Sequence, residues 1–509
     1  MAANHPPRDT TQTAGTGAYL RRQLEAALLA PIRALRWNYL PLLMVYFAYG
    51  ALGIVAIAQS FWVKSALTMT PADLAALSVW LALPWAVKMV FGELVDSVPV
   101  LGSQRRVYVF IGAALVAAGL LMLAGVAGGA ITFAKPDTVY VIASLLSVTG
   151  VVLQDVVADA MSTEVVSRTN ADGTPRPPAD VDRDLGMVQV LGRLALSAGI
   201  FAVAGLSGYL AQTYSYQTVF LIGLIVPVIS VSGALLVKLE TSERRAIDWR
   251  ILGGGIAFGL LVTVLSVAGA PFAQEIVFVL SMAVIIAMLR RVTGQISADA
   301  QRHIMYAAII IFAFRATPSL GEGYRWFTID VLGFDEGFYG VLQQTGAALG
   351  LAAAWLLSDA ITRQPVARVL LWLTIVGAIF SLPSIMLVLG VQEWTERMFG
   401  IGARGLALID AAAASPLAQV SMIPLLTLIA VHAPAGHRAT WFALMASFMN
   451  LALVAGDLQT KYLNLLFHVD RGAYGELAGL VLTATAIGIT VPLTLILMFG
   501  SRVGTVRRP

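Results

Sequence analysis

The sequence predicts an all-α, polytopic membrane protein of fourteen spans, built as two six-helix bundles with two extra helices between them. Three observations predict it. Apolar runs of membrane-crossing length recur from Tyr39 to Phe499, basic residues collect on alternate loops, and a stretch of the first half returns in the second. The chain has 509 residues, 58% hydrophobic and only 12% charged, with a mean hydropathy of +0.81. A run of about 20 apolar residues crosses a hydrocarbon core of about 30 Å. Backbone groups in lipid must be satisfied within the segment, so such runs are read as α-helices.

The spans are expected near 39–62, 74–95, 107–128, 138–162, 185–210, 217–237, 251–270, 274–290, 304–328, 337–358, 367–389, 405–430, 440–465 and 476–499. One set of loops carries Arg105 and Arg106, Arg168, Arg176 and Arg183, Arg290 and Arg291, and the terminal Arg502, Arg507 and Arg508. The other set carries only Lys64, Lys135, Arg397, Arg404, Lys461 and Arg471. The positive-inside rule then places both termini in the cytoplasm, which an even span count satisfies. The expected location is the cell inner membrane, multi-pass. The N-terminal stretch has no apolar core of a signal peptide, and "YLRRQLEAALLAPIRALRW" is expected to lie along the membrane surface as an amphipathic helix.

A shift of 265 residues sets "FAYGALGIVAIAQSFWVKSAL", from Phe47, beside "FAFRATPSLGEGYRWFTIDVL", from Phe312. Nearly the same shift carries Asp96 to Asp359 and the Arg105–Arg106 pair close to Arg368. A second copy that begins at the ninth span divides the chain into a cytoplasmic tail (1–36), a first bundle (37–240), a linker with two membrane helices (241–300), a second bundle (301–500) and a short tail (501–509). Two six-helix halves around a midplane site are a transporter plan. The linker helices read as a spacer or a lipid-facing brace.

Ionisable residues inside spans are costly, so they face a cavity or a partner. Asp155 and Asp159 are four residues apart and share one helix face. They are candidates for proton coupling, or for structural pairing with Arg193 or Lys88. Lys88, Arg193 and Arg315 sit within spans two, five and nine, and basic groups around a central cavity suit an anionic substrate. For Lys88, snorkelling to the interface is the competing reading. Pro84 and Pro318 interrupt their helices' hydrogen-bond ladders. Asp457 and Lys461 read as a local ion pair, and Glu164 as an interface charge. In the loop between spans two and three, Gly92, Asp96, Arg105 and Arg106 are expected to latch one conformation.

No P-loop, HExxH or Cys/His cluster occurs, and cysteine is absent altogether. This gives no footing for an ATP-driven pump, a membrane enzyme, a metal site or a cofactor. The expected partners are a small anionic substrate, protons and membrane lipids, with no nucleic acid.

The G-x-x-x-D, turn, R-R pattern resembles the loop motif of the major facilitator superfamily. "ALPWAVKMVFGELVDSVPVLGSQRRVY", "LTMTPADLA", "QDVVADA", "FRATPS", "LGFDEGFYG", "MIPLLTLIAVHAP" and "ATWFALMAS" together resemble the folate–biopterin transporter family. The resemblance implies alternating access between two bundles and a substrate of folate or pterin type; Lys88, Arg193 and Arg315 are the candidates to bind its anionic group, and its flat ring would stack on aromatics, for which Tyr49 and Trp85, with Trp80, Phe314 and Trp326, are candidates. The alternatives are a carrier of the same fold for an unrelated metabolite, or a non-transporting pigment or assembly factor.

Overall fold

A computed structural model describes residues 33–103, 105–170, 172–236, 247–294, 297–362, 364–431 and 438–503. The surface helix expected before Trp37 and the last arginines lie outside the described residues. In chain order the helices are α1 (Trp37–Ala66), α2 (Pro71–Ser97), α3 (Arg106–Ala127), α4 (Pro136–Glu164), α5 (Pro178–Thr213) and α6 (Tyr216–Leu236). Then come α7 (Trp249–Val267), α8 (Ala273–Thr293), α9 (Ala298–Arg315), α10 (Gly321–Asp330) and α11 (Glu336–Thr362). The last are α12 (Val366–Val388), the short α13 (Gln392–Phe399), α14 (Ala403–Val431), α15 (Arg438–Leu466) and α16 (Leu477–Phe499).

Helix thus stands at each of the fourteen expected stretches, and among the described residues eleven helices are long and apolar enough to cross a membrane. The remaining stretches are α9–α10, α11 and α15. The first is broken around Pro318. α11 and α15 include residues outside the described set; Gln344 of α11 accepts from the Gly205 N–H at 2.9 Å, and Asn450 of α15 donates to the Trp85 carbonyl at 3.4 Å.

α1–α6 pack on one another, as do α9–α12 with α14–α16. Between the two groups, α2 packs along α15 and α5 along α11. The second helix of each bundle therefore meets the fifth of the other, as a two-fold pseudosymmetry requires. The α5–α11 crossing is close because glycines meet there. A Cβ on Gly208 would lie 2.5 Å from the Gly340 Cα and 2.6 Å from the Glu336 carbonyl oxygen, so only glycine fits without moving backbone.

The extra helices lie outside the twelve. The outward positions of α7 are bare, with Leu260 and Val264 each 62% exposed. Its start is fixed to α2, where Glu93 accepts from the Asp248 N–H at 2.8 Å. α8 touches both bundles at the α2–α15 seam. Lys461 of α15 donates to Gln274 at 2.6 Å and pairs with Glu275 at 2.8 Å, and Gln274 donates to the Ala76 carbonyl at 3.4 Å.

Candidate functional site

α2 is capped at its start by Thr70, whose hydroxyl accepts from the Asp73 N–H while the Asp73 carboxylate accepts from Thr70 N–H. Pro84 cannot donate to the ladder, and the helix breaks one turn later at Val87, with φ −101° and ψ 21°. Lys88 opens the segment below the break. Its ammonium is shared between two carboxylates, 2.5 Å from Asp155 Oδ2 and 2.6 Å from Asp159 Oδ2. Those aspartates are one turn apart on α4, as their spacing predicts. The Asp155 side chain is 11% exposed and the Asp159 side chain 50%. Tyr46 of α1 donates to the other Asp159 oxygen at 2.5 Å. Beside this cluster Tyr49 and Trp85 stack, with ring centroids 5.7 Å apart and planes 25° from parallel.

Arg193 of α5 is exposed on the same bundle and, among the described residues, makes no ion pair. The structure therefore answers the pairing question for the aspartates with Lys88. Two carboxylates on one ammonium leave a surplus negative charge, close to a guanidinium that is not committed.

Arg315 ends α9 in the other bundle. Its Nε donates to the Met449 carbonyl at 3.4 Å, its Nη1 lies 3.0 Å from the Met422 sulfur, and among the described residues no carboxylate pairs with it. Met449 precedes Asn450, which holds the Trp85 carbonyl. Arg315 thus sits at the level of Trp85, across the seam from Lys88. Phe314 lines a cavity of about 360 Å³ inside the second bundle, with Thr317, Thr374 and Ser421. Trp80 is half-buried on α2. Trp326 belongs elsewhere: it is fully buried, with the Arg471 guanidinium 4.1 Å from its ring.

In the α2–α3 loop, Arg105 is 4% exposed and pairs with Asp96 at 2.9 Å and Glu164 at 2.5 Å, while also donating to the Val95 carbonyl. Arg106 points away, with its guanidinium 5.6 Å over the Phe110 ring. These contacts join α2, α3 and α4 of one bundle. The side chain of Asp359, the second-half counterpart, lies outside the described residues.

Contacts that join the two bundles gather at the opposite face, on the loops poor in basic residues. Lys64 pairs with Asp330 at 2.5 Å, and Tyr474 donates to the other oxygen of that carboxylate. Arg471 donates to the carbonyls of Val63, Lys64 and Met69, at 3.3, 3.0 and 2.6 Å. Arg325 donates to Ser60, and Tyr216 donates to Glu336 at 2.8 Å. At the start of α11 the Phe338 N–H and Arg404 hold the Asp335 carboxyl below the usual carboxylate range. Sequence reasoning missed this face, although the signal was present: Lys64, Arg404 and Arg471 are among the few basic residues there.

One expectation is corrected. Asp457 and Lys461 do not pair. Lys461 reaches α8, where Glu275 also accepts from Tyr462 at 2.6 Å. Asp457 instead lines a cavity of about 320 Å³ between the bundles, with Gln59, Ser60, Ser78, Tyr140, Ser319, Glu322 and Thr460. The four-residue spacing brings the two side chains to one face, but the longer lysine finds its acid on a neighbouring helix.

An all-helical membrane protein of two pseudosymmetric bundles, with charged groups at their seam, has the build of a transporter. Solved structures agree on the fold: a POT family transporter in complex with 5-aminolevulinic acid (TM-score 0.62, 15% identity, 92% of this chain and 96% of that one) and the nucleoside transporter NupG (TM-score 0.59, 11% identity, 91% and 100%). The fold is therefore major-facilitator-like. Residues 50–506 match the BT1 family, and the chain belongs to it. The chain is 27% identical over 463 residues to the folate-biopterin transporter of Synechocystis sp., covering 90% of this chain and 80% of that one. It is 20% identical over 436 residues to the putative folate transporter 2 of Plasmodium berghei, covering 85% and 82%. This protein is a multi-pass membrane transporter of small molecules.

Proposed function

We propose that the chain is a secondary active carrier that moves a small organic anion of folate or pterin type across the cytoplasmic membrane by alternating access, coupled to protons. The observation that carries this reading is the Lys88 ammonium held between Asp155 and Asp159, beside the Tyr49–Trp85 stack and across the seam from Arg315, which has no carboxylate partner among the described residues. A substrate carboxylate that enters this level competes with Asp159, the more exposed partner, for Lys88. A proton taken up by the Asp155–Asp159 pair loosens its hold on Lys88 in favour of the substrate; loss of that proton draws Lys88 back and expels the anion. Proton and anion then load and leave together. Arg193 and Arg315 supply further positive charge from either side, and Tyr49 and Trp85 offer ring faces.

With the termini in the cytoplasm, the Lys64–Asp330 and Arg471 contacts form the outer closure. The site then communicates with the cytoplasm in this conformation. Rocking about the α2–α15 and α5–α11 seams breaks these contacts. The Asp96–Arg105–Glu164 cluster keeps the inner end of the first bundle a single rigid unit during that movement. The names of the relatives support the substrate class.

A thermal-shift panel of folate, biopterin, other anionic metabolites, sugars and amines tests the assignment. Folate and biopterin are expected to raise the unfolding temperature, since a ligand at about 100 times its Kd adds about 2.7 kcal/mol. A shift with an unrelated metabolite and silence for both pterins would reassign the substrate. A coloured protein that responds to none of the panel would favour a pigment or assembly factor.

A further inference from the structure

Asp457 is unusual among the acids inside the bundles. Asp155 and Asp159 share Lys88, and Glu275 holds Lys461. Asp457 has no hydrogen bond and no ion pair among the described residues. It is set in α15, where that helix faces α2, and it opens onto the cavity of about 320 Å³ whose other walls come from α1, α2, α4 and the α9–α10 break. The charged groups near it are already engaged or turned aside. Glu322 lies 3.7 Å from the Arg325 guanidinium, which itself holds Ser60, and Lys461, one turn along, points to α8.

The rest of the polar lining is hydroxyls and an amide, set among apolar residues such as Val63, Leu74 and Leu81. Tyr140 accepts from Gln59 at 3.3 Å, and the Gln59 carbonyl oxygen has no hydrogen bond among the described residues. Glu322 Oε2 is buried and accepts no hydrogen bond among the described residues, with the Arg325 guanidinium 3.7 Å away. Asp457 thus brings to the pocket a carboxylate that accepts no hydrogen bond among the described residues. A group that brings donors satisfies it, and buried acceptors left without donors are costly.

The position of the pocket adds a second constraint. Asn450 holds the Trp85 carbonyl, which fixes the register of α15 against α2. Asp457 lies seven residues from Asn450 toward the outer face, and Lys88 three residues from Trp85 toward the inner face. At 1.5 Å of rise per residue, about 15 Å separates the two side chains along the helix axes. A ligand that satisfies both carries a donor-bearing head and a carboxylate tail at opposite ends.

We propose that this cavity is a head-group subsite: Asp457 accepts the paired N–H donors along the aminopyrimidinone edge of a pterin ring, while Lys88 takes a carboxylate tail. Two coplanar carboxylate oxygens match two parallel N–H donors, the geometry that makes bidentate pairs directional. The cavity is within the size range of small-molecule sites. Gln59 and Tyr140 border the ring, and the outer closure by Arg325 and Arg471 forms the roof. This inference rests on the pterin reading of the substrate and adds the orientation: ring outward, tail inward.

Binding of three probes to the purified protein tests it: folate, biopterin and para-aminobenzoylglutamate, the last a tail without the ring. Asp457→Asn keeps the shape of the side chain and is expected to weaken folate and biopterin by roughly tenfold or more, the cost of losing a hydrogen bond to a charged group. It leaves para-aminobenzoylglutamate unchanged. Asp457→Glu, which keeps the carboxylate, recovers part of the loss and shows that the charge, not the fold, is read. Equal binding of the pterins by wild type and Asp457→Asn would overturn the subsite alone, as would an equal loss for the ring-free probe. A wild-type protein that binds neither pterin would overturn the substrate reading and the subsite with it.

Discussion

Lys88→Met is expected to abolish uptake and to destabilise the protein. The ammonium lies within 2.6 Å of two carboxylates one helical turn apart. Removing one partner of a buried pair costs about 3–5 kcal/mol, because the other charge stays behind without compensation. Asp155 is the deeper carboxylate and Asp159 is half exposed, so a loss near the lower end, about 3 kcal/mol, is expected. The double variant Lys88→Met with Asp155→Asn separates stability from function. It removes the deeper orphan carboxylate and leaves Asp159 with its Tyr46 hydrogen bond. Its thermal stability is expected to return close to wild type while uptake stays absent. Uptake by either variant would show that Lys88 is only a structural counter-ion.

Arg471→Ala is expected to open the far face. This one side chain donates to three backbone carbonyls of the α1–α2 turn and lies against the Trp326 ring, so it ties the second bundle to the first. Hydrogen bonds from a charged group contribute about 1.5–3 kcal/mol. Losing about 3 kcal/mol from the closed state moves the balance between open and closed about 100-fold. The chain contains no cysteine, so a single Ser78→Cys probe in the cavity beneath this closure reports access without background. A membrane-impermeant maleimide added from outside is expected to label that probe slowly in the otherwise native chain and at least tenfold faster with Arg471→Ala. Equal labelling rates would mean that the closure lies elsewhere.

The fold was legible because lipid imposes a strict rule on sequence: a segment that crosses it is apolar, helical and about 20 residues long. Helices accordingly appear at all fourteen expected stretches, even α9–α10, where the break at Pro318 was also expected. Clustering of the aspartates with Lys88 was half legible. The i,i+4 spacing put both carboxylates on one face, but the sequence offered Arg193 and Lys88 as equal partners. The choice depends on the break at Val87, which a local pattern does not display.

Least legible were contacts between helices distant in the chain. Arg471 binds backbone carbonyls, which have no side-chain signature. Lys461 pairs with an acid 186 residues away in preference to one four residues away. Tyr46 has the same difficulty: one hydroxyl on an apolar helix looks like any interfacial tyrosine until α4 is placed beside it. The linker helices were read as a spacer or a lipid-facing brace; α7 has a bare outward surface, and α8 bridges α2 and α15 through Gln274 and Glu275.

The central claim is that a folate- or pterin-type anion is carried through the seam by groups from both bundles. Counterflow in proteoliposomes measures it most directly: vesicles loaded with unlabelled folate, diluted into a trace of labelled folate, with wild type and Lys88→Met compared side by side. The account predicts saturable accumulation of label in wild-type vesicles, competition by biopterin and no accumulation with Lys88→Met. Absence of folate and biopterin counterflow in wild-type vesicles that contain folded protein, or accumulation that survives Lys88→Met, would contradict it.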